Sequence, residues 1–146
     1  MPDLSLFRFS HPIAVRFADI DALQHVNNAT IFTYMETARV EYFRQVLGWV
    51  GRMADLSVII ARAECDFKLP IFWGDRVFVH VRASRLGNKS FDFEYVITTE
   101  GAGGSQQIAA VGKTVQVAYD YAQGATVPIP DDWREKMLAF EPGLAG

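Results

Sequence analysis

An α+β fold, with an antiparallel sheet of about five strands wrapped around one long helix, is what the sequence predicts, and three observations predict it. From about Asn28 to Leu47, Ile31, Met35, Ala38, Tyr42 and Val46 recur every three or four positions, the repeat of a helix with one buried face. After residue 55 the period changes to two. Phe91, Phe93, Tyr95 and Ile97 alternate with Asp92, Glu94 and Thr98, so one face of that strand needs an apolar cover. One strand-like stretch precedes the helix and four follow it. The long helix is the element available to cover them, which makes a single sheet packed on a single helix the consistent architecture.

Each element has a local cause. Phe7–Phe17 reads as the entering strand, broken by Pro12, a residue tolerated at an edge or a bulge. Asp19–Gln24 is a turn. Asn27 or Asn28 can cap the helix by accepting from a free backbone N–H, and Gly48 ends it. The following strands are Leu56–Leu69, Asp75–Arg85, Ser90–Glu100 and Gln106–Asp120. Gly101–Ser105 is a turn between antiparallel neighbours. Pro130–Ala139 is a short closing helix with Asp131 near its start. No repeat or linker divides the chain, so residues 1–146 are expected to form one domain. One helix covers one face of such a sheet and an edge strand stays open, which favours a homo-oligomer.

Half of the 146 residues are hydrophobic and 21% are charged, the balance of a globular protein with a full core. The 11 phenylalanines serve that core, with some free to line a ligand pocket or a subunit interface. The net charge of −3 and the absence of any Lys/Arg run exclude nucleic acid as a partner. A lone Cys65 forms no intrachain disulfide and belongs to no zinc spacing, so no metal is expected; in a strand it reads as a small core residue. His11 and His80 belong to no pattern. No apolar run approaches the ~20 residues that span a bilayer, and the first residues lack a secretory signal. The cytoplasm is the expected location.

The chemistry concentrates between Arg16 and Thr30. Asp19, Asp21 and His25 are candidate bases or nucleophiles just ahead of a helix whose first N–H groups lack intrahelical acceptors and can stabilise developing negative charge. That combination suits attack on a carbonyl. An Asp before a helix is also an ordinary turn former, and a histidine there can simply bond the backbone. Glu36 falls between Phe32 and Phe43 on the helix at about 100° per residue, and Arg39, three positions on, can pair with it. In the Arg85–Phe91 turn, Lys89 and Ser90 place a cation and a hydroxyl beside a strand, groups suited to a phosphate or to plain solvation. Arg62, on the preceding strand, is the alternative.

The run Asp19-Ile-Asp21-Ala-Leu-Gln-His25-Val-Asn27-Asn28, followed by Tyr34-Met-Glu36-Thr-Ala-Arg39, resembles the hotdog-fold acyl-CoA thioesterases of the 4-hydroxybenzoyl-CoA thioesterase type. The resemblance continues through Pro70, Gly74-Asp75, Leu86–Phe91 and Pro128-x-Pro130. It implies a hotdog fold that works as a dimer or tetramer, with active sites between protomers. It also implies hydrolysis of an acyl-CoA thioester to free acid and CoA, with no cofactor beyond the CoA of the substrate. By that resemblance Asp21 is the nucleophile or general base, His25 assists it, and the Asn28 backbone N–H polarises the thioester oxygen. Tyr34 and Glu36 then lie toward the substrate, while Lys89, Ser90, Arg85 and Arg62 serve the CoA end. The chain departs from the benzoyl-type pattern at Gly87 and Asn88, where two arginines are usual. The Asp/His arrangement also resembles plant acyl-ACP thioesterases, with Leu23 where those have Asn. An acyl-ACP thioesterase and a non-catalytic acyl-CoA-binding module are the alternatives; the acidic balance disfavours the first, and the second has no use for Asp21.

Overall fold

The computed structural model describes residues 1–55, 57–101 and 103–146. In chain order it contains β1 (Phe9–Ile13), α1 (Asn28–Gln45), β2 (Val58–Phe67), β3 (Arg76–Leu86), β4 (Ser90–Glu100), β5 (Gln106–Asp120), β6 (Ala125–Thr126) and α2 (Asp131–Phe140). The strands pair antiparallel in the order β1-β3-β4-β5-β2, with the short β6 on the end of β5. This is the predicted sheet on a helix, and β4 and β5 occupy the predicted residues. Pro12 sits in β1, an edge strand where its missing N–H costs no ladder bond.

The differences have local causes. β1 is shorter than Phe7–Phe17 because residues 17–19 coil into one 3-10 turn. β2 stops at Phe67 because the N–H groups of Lys68 and Leu69 both turn to the Ala109 carbonyl, at 2.8 and 3.0 Å. Leu56 of the predicted second strand and Ala102 of the predicted Gly101–Ser105 turn lie outside the described residues; in that turn Gly104 N–H donates to the Gly101 carbonyl at 2.9 Å. Asn27 is the cap, its Oδ1 accepting from Ala29 N–H at 2.8 Å. Gly48, at φ +77°, lets the chain leave the helix in a conformation other residues resist.

α1 buries Ile31, Met35, Ala38 and Tyr42 as their spacing predicts, and also Tyr34, Arg39 and Phe43. The wider face follows from the sheet curling around it. At β5 the helix and sheet all but touch: a Cβ on Gly112 would stand 2.7 Å from Met35 Cε and 3.1 Å from the Glu64 carbonyl oxygen. Phe43, Phe91 and Phe93 form an aromatic cluster with Tyr42 and Trp133, ring centroids 4.7 to 6.4 Å apart. Trp133 and Met137 come from α2, so the closing helix adds cover that the sequence reading gave to α1 alone. No helix among the described residues is long and apolar enough to cross a membrane.

Behind α2 a carboxylate is built into the core. A register shift in β3 between Ala83 and Arg85 frees the Ala83 N–H from the ladder. It donates instead to Glu141 Oε2 at 2.6 Å, and the Tyr42 hydroxyl donates to the same oxygen at 2.7 Å. Glu141 is 4% exposed, and its Oε1 has no partner among the described residues. Burial pushes this carboxyl above the ordinary range despite those two donors. The folded state therefore holds the proton more tightly than the unfolded chain, and stability should fall as pH rises above the usual carboxyl range toward the folded value. Melting temperatures measured from acidic to neutral pH should show this decline, and Glu141→Gln should flatten it.

Candidate functional site

The segment ahead of α1 is held by Asp19. Its carboxylate accepts from Arg16 N–H at 3.0 Å, from the Arg16 guanidinium at 3.1 and 2.9 Å, and from the Tyr34 hydroxyl at 2.7 Å. Its carbonyl takes the Asn27 N–H at 3.0 Å. Burial would push this carboxyl up, but the Tyr34 and Arg16 donors outweigh it and hold the group below the ordinary aspartate range. Asp19 is 3% exposed and fully engaged. Its chemistry is positional: it ties the loop to the second turn of α1. Burial and the adjacent carboxylate raise the Tyr34 pKa strongly, so Tyr34 remains a donor to Asp19.

Asp21 and His25 face each other across the next turn. Asp21 N–H donates to the His25 carbonyl at 3.0 Å and Gln24 N–H to the Asp21 carbonyl at 2.9 Å, while Ile20 and Val26 pair on either side. Gln24 takes φ +70° to close the turn. Asp21 Oδ1 accepts from Leu23 N–H at 2.9 Å, the turn-forming bond of a short acidic side chain. His25 Nδ1 lies 3.4 Å from the Val26 carbonyl oxygen. The two side chains share a turn without a hydrogen bond between them.

Beside this turn is a recess of about 310 Å³, walled by His25, Asn28, Ile31, Phe67, Pro70 and Ala110. The α1 N-terminus opens onto it. Ala29 N–H is taken by the Asn27 side chain, and the Thr30 and Ile31 N–H groups by the Asn27 carbonyl. The Asn28 N–H is left without an acceptor among the described residues. An apolar hollow walled in part by an imidazole and by the residue that carries a free main-chain donor, with Asp21 one turn away through its bond to the His25 carbonyl, can hold a carbonyl and polarise its oxygen.

Comparison with known proteins bears on this geometry. The profile of the thioesterase-like superfamily matches residues 15–137, spanning the Asp19–Asn28 loop, α1 and strands β2 to β6. The chain belongs to the thioesterase-like superfamily. It is 28% identical over 120 residues to 1,4-dihydroxy-2-naphthoyl-CoA hydrolase of Thermosynechococcus vestitus, covering 80% of each chain. To the long-chain acyl-CoA thioesterase FadM of Escherichia coli it is 25% identical over 126 residues, 86% of this chain and 93% of that one. A thioesterase from Thermus thermophilus, crystallised with coenzyme A and zinc, superposes with a TM-score of 0.81 at 37% identity, over 93% of this chain and 96% of that one. A 4-hydroxybenzoyl CoA thioesterase mutant with its substrate superposes with a TM-score of 0.78 at 15% identity, over 88% and 97%, a likeness of fold. The sheet curled around α1 is the hotdog fold of these thioesterases.

In this thioesterase-like chain the other sequence candidates are dispersed. Glu36 is not between aromatic walls but 66% exposed, its Oε2 3.8 Å from the Arg39 guanidinium; the buried member of that pair is Arg39. Lys89 is exposed in the β3–β4 turn, and Ser90 Oγ accepts from Arg85, which also pairs with Asp92 at 2.8 Å. Arg62 is exposed on β2 and pairs with Glu64 at 3.0 Å. The recess borders Ile71, just before the start of β3, whereas Lys89 follows its end. The 11 residues of β3 put roughly 35 Å between them. Within one chain the turn at Lys89 cannot share a site with Asp21. Cys65 is half-buried on β2, and burial and Asp66 push its thiol up to about 11.

Two features escaped the sequence reading. Asp19 was grouped with Asp21 and His25 as a candidate base and given no role of its own once Asp21 was preferred; the Arg16 three residues before it was the signal that it is spoken for. Arg39 looked like a surface partner for Glu36, although its place one residue from Ala38 put it beside the buried stripe.

Proposed function

We propose that this protein hydrolyses an acyl-CoA thioester to free acid and CoA at the N-terminus of α1. The observation that carries the reading is the Asn28 N–H, free of any acceptor among the described residues, on a residue that walls the apolar recess together with His25. The thioester oxygen binds that N–H, where the helix end favours the charge that develops on it. Asp21 either attacks the carbonyl carbon, giving a mixed anhydride that water then opens, or takes a proton from an attacking water. His25 orients the carboxylate or hands a proton to the leaving thiolate. Tyr34 serves through Asp19. No cofactor beyond the CoA of the substrate enters this scheme. The acyl-CoA substrates named for the relatives from Escherichia coli and Thermosynechococcus vestitus, and the coenzyme A bound to the Thermus thermophilus thioesterase, support the substrate class. A reducing cytoplasm suits the single unpaired cysteine. Release of free thiol across a panel of short, long and aryl CoA thioesters tests the proposal, and a purified protein that liberates none would overturn it.

The active unit in this scheme is a homodimer or homotetramer. β2 is an edge strand, and Ile60 and Phe67 on it are 39% and 42% exposed, an open edge of the kind that pairs with a second chain. Antiparallel pairing of β2 with its copy about a twofold axis sets the far end of one sheet toward the near end of the other. It is the arrangement by which Lys89, Ser90 and Arg85, or Arg62, can serve the CoA end of a substrate held at Asp21. Light scattering at micromolar concentration should report a dimer or tetramer. A fully active monomer would refute the shared site.

A further inference from the structure

Gln24 closes the turn that carries Asp21 and His25, and it does so at φ +70°, the one positive φ outside glycine among the described residues. Each of the others belongs to a glycine, as expected of a conformation that sets the Cβ of any other residue against its own backbone. The side chain of Gln24 does not account for the exception. It is exposed, and its carboxamide enters no hydrogen bond among the described residues. The constraint comes from the two ends of the turn.

Those ends are fixed. Ile20 bridges Val26, Val26 N–H donates to the Ile71 carbonyl at 2.8 Å, and Asn27 N–H donates to the Asp19 carbonyl at 3.0 Å. Between them, Asp21 N–H meets the His25 carbonyl at 3.0 Å and Gln24 N–H meets the Asp21 carbonyl at 2.9 Å. This is the bonding of a hairpin with a three-residue loop, in which two residues make an ordinary turn and the third is left-handed so that the chain returns in register. Ala22 and Leu23 make the turn here, and Gln24 stands where glycine is usual. With a negative φ at residue 24 the chain would leave the turn in another direction, and the His25 carbonyl would no longer meet Asp21 N–H. Strain of this kind persists only where the surroundings over-determine it, and it collects at functional sites.

The groups that the proposed reaction uses hang on this closure. The Asp21 carboxylate is set by the same turn, since its Oδ1 takes the Leu23 N–H at 2.9 Å while Oδ2 has no partner among the described residues. His25, the residue after Gln24, walls the recess, and so does Asn28, three positions further on. Resting on the thioesterase reading above, we propose that Gln24 is a positioning residue: its left-handed backbone, and not its carboxamide, sets the Asp21 carboxylate in place relative to the His25 imidazole and the recess. A displacement of about 1 Å at a reacting group costs up to ~10² in rate, so a turn that closes in one way only is worth its local strain.

The experiment compares Gln24→Gly, Gln24→Ala and Gln24→Val. Glycine adopts +70° freely, alanine does so at the cost that glutamine already bears, and valine, branched at Cβ, resists it most. The position is exposed, so none of the three disturbs the core. Hydrogen exchange of the Asp21 amide, read by NMR, reports its bond to the His25 carbonyl. That amide should stay protected in Gln24→Gly and Gln24→Ala and exchange ~10-fold or more faster in Gln24→Val. Turnover should follow the same division: kcat within about 2-fold of wild type for the first two and down ~10-fold or more for the third, with KM little changed because Ile31, Phe67 and Pro70 still wall the recess. Wild-type kcat in Gln24→Val would overturn the inference, as would a loss of kcat there with the Asp21 amide still protected. A loss of kcat in Gln24→Gly and Gln24→Ala equal to that in Gln24→Val would also overturn it, by assigning the effect to the carboxamide. If wild type itself releases no thiol, the thioesterase reading falls, and the exchange pattern still decides whether Gln24 sets the turn.

Discussion

Asp21→Asn should lose most turnover on the best acyl-CoA substrate, by ~10² or more in kcat, while the protein stays folded. The substitution is nearly isosteric, and the amide oxygen can keep the bond from Leu23 N–H that shapes the turn. What disappears is the ionised carboxylate, needed equally by a nucleophile and by a general base. KM should change little, because Asp21 is not one of the walls of the recess, and a group that acts on the reacting carbon contributes to the transition state more than to substrate binding. Unchanged hydrolysis by this variant, prepared free of wild-type protein, would remove Asp21 from the mechanism.

The largest expected loss of stability outside the aromatic core is at Asp19. Asp19→Ala removes the shared acceptor of the Tyr34 hydroxyl and the Arg16 N–H. Each donor left unpaired costs about 1–3 kcal/mol, so a drop of roughly 2–6 kcal/mol is expected from two of them. Because the folded carboxyl is held low, this stabilisation is fully present at neutral pH and is lost only as acid titrates the group in the folded state. Activity should fall with stability, since the loop carrying Asp21 and His25 loses its tie to α1. Tyr34→Phe, which leaves the Arg16 donors in place, should cost less. Urea unfolding of the two variants beside wild type measures both effects, and an Asp19→Ala midpoint equal to wild type would show that the loop is held by other means.

The sheet was legible because its strands obey a period of two, and β4 and β5 could be bounded to the residue. The ends of β1 and β2 were not, since they are set by carbonyls and carboxylates that compete for the same N–H groups, such as Ala109 for Lys68 and Leu69. The site loop was legible as a motif. The structural work of Asp19 was not: Asp19 and Asp21 are the same residue type two positions apart, and it is the bonds from Arg16 and from Tyr34, fifteen residues on, that make Asp19 the structural one. Glu36 and Arg39 were recognised as a pair, but which of them is buried depends on the register shift in β2 between Ile60 and Arg62, which periodicity does not reveal. The distance between Lys89 and Asp21 follows from strand length and direction together, and it divides the candidates of one chain between the two ends of β3.

The seat of α1 on β5 has a consequence for the ageing of the protein. Met35 is 1% exposed, and its sulfur and terminal methyl fill the space that a side chain at Gly112 would otherwise occupy. Oxidation to the sulfoxide would add a polar oxygen where there is no room for one, so the oxidised protein could not close the helix back onto the sheet. At 1% exposure that sulfur should react slowly with peroxide while the helix is seated. Met35 sulfoxide should therefore build up faster under conditions that loosen α1 from β5, and the seat of the helix would stay weakened until a reductase restores the thioether.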